Sequence, residues 1–131
     1  MPVEPASRSP TDKGGHPQVF NLRELRMRMM DDDGLVRTVI TFFLEDTPKQ
    51  VEILTSLLKD SDAEGVIRTA HSIKGASASA GGEAISEVAY SMELAARAGD
   101  LAAVGGKMPA LAKAFEDYVS AAAEITAALS E

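Results

Sequence analysis

The sequence predicts an all-α protein, an antiparallel up-down four-helix bundle with a short extra helix at its N-terminal end. Three observations predict it. Apolar residues recur at spacings of three and four from Val19 to the C-terminus, the period of a helix with one buried face. No alternating apolar run marks a strand, and the Asp33-Gly34 pair separates two helical segments, not two strands. The connections between periodic segments are short, which makes consecutive helices antiparallel neighbours.

A chain of 131 residues reads as one domain able to bury one core. Residues 1–18 read as a disordered tail, rich in Pro, Ser, Gly and Thr and nearly free of large apolar side chains. His16 lies in it and is given no role. The folded domain is expected over 19–131. Asn21 is placed to cap a short first helix, with Glu24 three residues on as its capping-box partner. Met27, Met29 and Met30 read as core or bundle-end packing. Arg23, Arg26 and Arg28 read as a solvated face answering the Asp31–Asp33 run.

Asp32 or Asp33 caps a second helix, whose apolar face is Leu35, Val36, Val39, Ile40, Phe43, Val51, Leu54 and Leu58. Pro48 lies inside it and predicts a kink, because proline removes one ladder hydrogen bond and crowds the carbonyl four residues back. Ser61 with Glu64 signals the start of a third helix. Its inward stripe is Val66, Ala70, Ile73, Ser77 and Ala80. Gly81-Gly82 ends it. A fourth helix, Glu83 to Ala98, faces Ile85, Val88, Ala89, Met92, Ala95 and Ala96 inward. Gly99-Asp100 closes it, and Asp100 caps a fifth helix that carries Leu101, Val104, Met108, Leu111, Phe115, Tyr118, Ala122, Ile125 and Leu129. Gly105-Gly106 and Pro109 weaken its first turns and invite a break there.

Bulk properties exclude several functions. A formal charge of −7 at pH 7 argues against a nucleic-acid surface, which needs a basic face. The chain has no cysteine, so thiolate chemistry and thiolate metal sites are out. No segment approaches the length of a membrane span, and the proline-interrupted N-terminus is unlike a signal peptide. A cytoplasmic monomer is the expectation.

The informative segment is His71-Ser72-Ile73-Lys74-Gly75-Ala76-Ser77-Ala78. Ile67, His71, Lys74, Gly75 and Ala78 share one helical stripe at the edge of the core. A neutral imidazole is a good nucleophile near pH 7. It attacks through one ring nitrogen only if the other holds the proton, and a carboxylate accepting that N–H fixes the tautomer. Glu93 is the candidate carboxylate, reachable if the third and fourth helices are antiparallel neighbours. Lys74 offers a compact positive charge for phosphoryl oxygens. Gly75 costs about 1 kcal/mol in a helix interior relative to alanine, and the return is access to the histidine. Taken singly, each residue is an ordinary surface group: a solvated histidine, a solvated lysine, a packing glycine, and a glutamate paired with Arg97. Together they occupy one patch.

That segment closely resembles the motif of histidine-containing phosphotransfer (HPt) domains of bacterial two-component signalling. Phe42-Phe43-Leu44 and Asp60 upstream, and Met92-Glu93 and Ala96-Arg97-Ala98-Gly99-Asp100 downstream, agree with it. The resemblance covers roughly Asn21 to the C-terminus. It implies that His71 is the phosphoacceptor through Nε2, that Lys74 orients or neutralises the phosphoryl group, and that Gly75 opens the surface for docking. Glu93 stands at the spacing of a glutamate that, in the related phosphotransfer domains of chemotaxis kinases, hydrogen-bonds the acceptor imidazole. Ile67, Gly75 and Ala78 would form the receiver-docking surface. Ala76 and Ala80 depart from relatives that carry serine and a larger aliphatic residue, which implies a small, flat surface. The implied partners are response-regulator receiver domains and a histidine or hybrid kinase. The chain would hold no metal or other cofactor, magnesium belonging to the receiver. It would be a phosphorelay intermediate, not a kinase. The alternatives are an adaptor or inhibitor that binds a kinase or receiver without phosphotransfer, and a purely structural bundle.

Overall fold

The structure is a computed structural model that describes residues 17–129. Six helices stand among them, and no strand: α1 (Leu22–Arg28), α2 (Asp33–Lys59), α3 (Ala63–Ser79), α4 (Glu83–Arg97), α5 (Leu101–Gly106) and α6 (Met108–Leu129). Four long helices, α2, α3, α4 and α6, enclose the core in antiparallel order, and α1 packs against α2. The most extensive contact is between α3 and α4, the pair that carries the candidate site. No helix among the described residues is long and apolar enough to cross a membrane.

One turn design recurs. In Asp60-Ser61-Asp62, Ala80-Gly81-Gly82 and Ala98-Gly99-Asp100 the middle residue has positive φ. The third donates its N–H back to the closing helix, Asp62 to Leu57 at 3.0 Å, Gly82 to Ser77 at 2.7 Å and Asp100 to Ala95 at 2.9 Å. This is the Schellman closure. The same third residue then caps the next helix, so each turn needs only three residues and folds the chain back on itself. Asp62 accepts from Gly65 N, and Asp100 from Ala103 N. The cap of α3 is therefore Asp62, not Ser61. Ser61 is consumed by the left-handed position (φ 55), where a side chain costs about 1 kcal/mol. At Gly81 (φ 79) a Cβ would also stand 3.0 Å from Asn21 O, so glycine is needed there.

Asn21 caps α1 through Oδ1 and Glu24 N at 3.1 Å, but the capping box is not closed by Glu24. Asn21 N already donates to Gly81 O at 2.7 Å, and the Glu24 carboxylate pairs with Arg28. Glu83 anchors this segment instead, accepting from Gln18 N at 3.0 Å and Asn21 Nδ2 at 2.6 Å. Gln18 is thus part of the folded unit, ahead of the boundary expected after residue 18; residues 1–16 of the expected tail lie outside the described residues.

Asp32 is the cap of α2, and α2 runs unbroken through Pro48. The fifth helix does divide, at Lys107, directly after Gly105-Gly106. Pro109 falls in the first turn of α6, where a missing N–H costs little. Val36, Ile40, Phe43, Val66, Ile73, Ile85, Met92, Leu111 and Tyr118 fill the core. Phe20 stacks on Tyr118 at 4.6 Å and Phe43 meets it edge-on at 4.8 Å. Two expectations of burial fail. Leu35 is exposed, lying at the first turn of α2, and Met27 and Met30 face solvent, while Leu22, Leu25 and Met29 are the residues of this segment turned to the core. Arg26 does pair with Asp33 at 2.7 Å. Arg28 reaches further, donating to Ala78 O at 2.8 Å at the end of α3.

Candidate functional site

The inward stripe of α3 (Val66, Ala70, Ile73, Ser77) is buried, which fixes the rotation of the helix and turns His71 outward. The His71 side chain is 62% exposed. Glu93 projects from α4 into the seam beside it and is 4% exposed. His71 Nδ1 lies 3.2 Å from Glu93 Oε1 and 3.1 Å from Oε2. Lys74 Nζ lies 3.0 Å from Oε1. Arg97 donates to Oε2 from both Nη2, at 2.8 Å, and Nε, at 3.1 Å. One nearly buried carboxylate thus gathers an imidazole and two cations.

That arrangement decides the charge of Glu93. The two-pronged Arg97 guanidinium is the largest influence. Lys74 and His71 act in the same direction, and burial opposes all three. The net effect holds the carboxyl down at about 2. Near pH 7 Glu93 is therefore an acceptor only, so His71 Nδ1 must be the donor in its neutral form. Nε2 is then the nitrogen with the free lone pair, and it has no hydrogen-bond partner among the described residues.

Lys74 is not a free surface lysine. Besides Glu93 it has the Tyr90 ring, with Nζ 4.9 Å from the ring centroid, a cation–π distance. Its backbone carbonyl accepts from Ser86 Oγ at 3.0 Å, a further tie between α3 and α4. Gly75 lies on the exposed side, and a Cβ added there would meet nothing within 4 Å. Ala78 is exposed. Ile67 is half-buried and packs against the core, so it forms an edge of the patch, not its centre.

The surface around Ala76 and Ala80, toward the C-terminal end of α3, is not flat. An apolar groove of about 330 Å³ runs between α2 and α3. Phe42, 65% exposed, and Val39 form its α2 wall, and Ala76 and Ser79 its α3 wall. Ala80 is buried at its floor. The small residues of α3 therefore create relief by leaving Phe42 unmatched. Composition gave no sign of this, since Phe42 and Phe43 look alike in sequence and only helix rotation separates them. The contact of Tyr90 with Lys74 is a further feature that sequence reasoning did not identify; the placement of Lys74 and Tyr90 symmetrically about the α3–α4 turn was the available signal.

A model of the Hpt domain family matches residues 38–125. Comparison with curated proteins and with solved structures returned no match.

Proposed function

We propose, from the premise that this chain belongs to the Hpt domain family of two-component phosphorelays, that it carries phosphoryl groups on His71 Nε2 to and from aspartates of receiver domains. The observation that carries this reading is the pairing of His71 Nδ1 with a nearly buried, ionised Glu93 at 3.1 Å. That pairing directs the lone pair of Nε2 away from the bundle on an open helix face.

In the forward step the Nε2 lone pair forms the N–P bond while the acyl P–O bond of the receiver's phosphoaspartate breaks. The aspartate leaves as a carboxylate, and Nδ1 keeps its proton. The ring then carries a positive charge, which Glu93 faces. Lys74, one turn along the same helix and paired with the same carboxylate at 3.0 Å, meets the charge on the phosphoryl oxygens. Such transfer is largely positioning and charge stabilisation, so a helix surface suffices. The chain acts as a carrier that is itself modified, and the enzyme-like machinery of the receiver does the rest. Gly75 and Ala78 give the receiver a close approach, and the Phe42 groove receives an apolar side chain from it.

The test charges a panel of receiver domains with a small acyl phosphate and mixes each with wild type and with His71→Ala. An acid-labile, alkali-stable label on wild type that is absent from His71→Ala supports the carrier. Receivers that charge and bind but never label the chain would instead make it an adaptor.

A further inference from the structure

We infer that Arg97 is a positioning residue for the phosphoryl exchange: it holds Glu93 in place and charged so that Lys74 is free to leave Glu93 for the phosphoryl group. The inference rests on the reading of His71 as phosphoacceptor. Its geometry comes from the division of labour on one carboxylate. Lys74 occupies Oε1 at 3.0 Å, while Arg97 occupies Oε2 with two nitrogens, at 2.8 and 3.1 Å. His71 Nδ1 spans both oxygens. These are the charged and titratable groups bonded to Glu93 among the described residues.

The two cations differ in kind. Lys74 comes from α3 on a flexible stem and carries a point charge that turns readily to a new anion. Arg97 comes from α4 itself, one turn beyond Glu93, and its planar fork grips a single oxygen. A phosphoryl group arriving on Nε2 brings up to two negative charges to the face where Lys74 stands. Lys74 is then drawn from Oε1 across the Tyr90 ring, on which it already rests at 4.9 Å. Glu93 is nearly buried, and while the phosphoryl group approaches, before the N–P bond makes the ring positive, a buried carboxylate left without Arg97 takes up a proton or retains Lys74. Either result works against transfer. A protonated Glu93 weakens the acceptor for Nδ1–H just when the ring becomes positive, and a retained Lys74 leaves the phosphoryl oxygens unmet. Arg97 prevents both, because its contact is indifferent to where Lys74 goes.

The experiment uses the full chain as wild type, Arg97→Gln and Arg97→Lys. The Glu93 carboxyl ¹³C shift is followed through pH 4–6, and charging by phosphoramidate is timed; there Nε2 forms the N–P bond as the donor P–N bond breaks and ammonia leaves. Wild type, held at about 2, shows no Glu93 midpoint in that window. Arg97→Gln removes the largest of the influences that hold the carboxyl down, raises the midpoint into that window and slows charging about tenfold. Arg97→Lys restores the low midpoint and most of the rate. Charging of Arg97→Gln at the wild-type rate would overturn the inference, and so would a Glu93 that stays ionised throughout the window in that variant. A wild type that takes no phosphoryl group on His71 would sink the carrier reading itself, while the carboxyl titration would still decide whether Arg97 holds the charge.

Discussion

His71 and Glu93 stand 22 residues apart in the chain, and Nδ1 of one lies 3.1 Å from Oε2 of the other. The α3–α4 turn brings them together. His71 and Glu93 are placed symmetrically about Gly82, and so are Lys74 and Tyr90. In an antiparallel helix pair such residues meet across the seam, so the register of one three-residue turn sets the whole cluster.

The Glu93 carboxylate makes the cluster sensitive to acid in a defined direction. Its folded value is depressed to about 2, against an unfolded value of about 4.3. A depressed carboxyl contributes stability above its unfolded value and loses it as pH falls toward the folded one. Glu93→Gln should therefore cost of the order of 2 kcal/mol at pH 7, and the difference from wild type should shrink between about pH 4.3 and pH 2. Denaturant midpoints of the two proteins across that range are the measurement. A difference as large at pH 2.5 as at pH 7 would show that the variant acts through packing, not through charge.

Tyr118 secures the turn that sets this register. Its hydroxyl, pushed up from its ordinary pKa by burial, donates to Ala80 O at 2.8 Å, a carbonyl at the end of α3. Tyr118→Phe keeps the ring between Phe20 and Phe43 but leaves that carbonyl without its donor. The expected loss is about 1–3 kcal/mol, read as a lower denaturant midpoint with unchanged slope. A variant as stable as wild type would mean that another donor or water replaces the hydroxyl.

Most of this architecture was legible because each helix carries its own start and stop. Asp32, Asp100 and the Gly81-Gly82 and Gly99-Asp100 stops all act as the sequence predicts. Ser61 misled because serine is a good cap and a poor left-handed residue, yet the turn closure required position 61 to be left-handed. Glu93 was legible as a candidate partner of His71 once the two helices were taken as antiparallel. Its near burial was not, because a helical wheel places it only just off the apolar face. The groove beside Phe42 was invisible for a similar reason. It arises from side chains that α3 lacks, and an absence of bulk gains shape only against a neighbouring helix.

Gly75 separates stability from access. Glycine in a helix interior is destabilising by about 0.5–1 kcal/mol relative to alanine, and a Cβ there meets nothing within 4 Å. Gly75→Ala should therefore raise the thermal midpoint. Gly75→Leu should keep much of that gain while slowing transfer from a charged receiver by about tenfold, the equivalent of about 1.4 kcal/mol of lost docking. Thermal melts and rapid-mix transfer on the same samples give both numbers. If Gly75→Leu exchanges with receivers as fast as wild type, the open face over Gly75 is not where they dock.

Phe42 offers the complementary test at the α2–α3 groove. An exposed aromatic beside a groove is the kind of residue that dominates a binding surface, and at 65% exposure it contributes little to the core. Phe42→Asp should leave the denaturant midpoint within about 0.5 kcal/mol of wild type. It should raise the receiver concentration needed for half-maximal transfer by about tenfold or more, leaving the rate at saturation unchanged because His71, Lys74 and Glu93 are untouched. Transfer rates measured over a range of charged-receiver concentrations separate the two effects. A fall in the saturated rate would place Phe42 in the chemistry and not in docking. An unaltered concentration dependence would mean that receivers reach His71 without the α2–α3 groove.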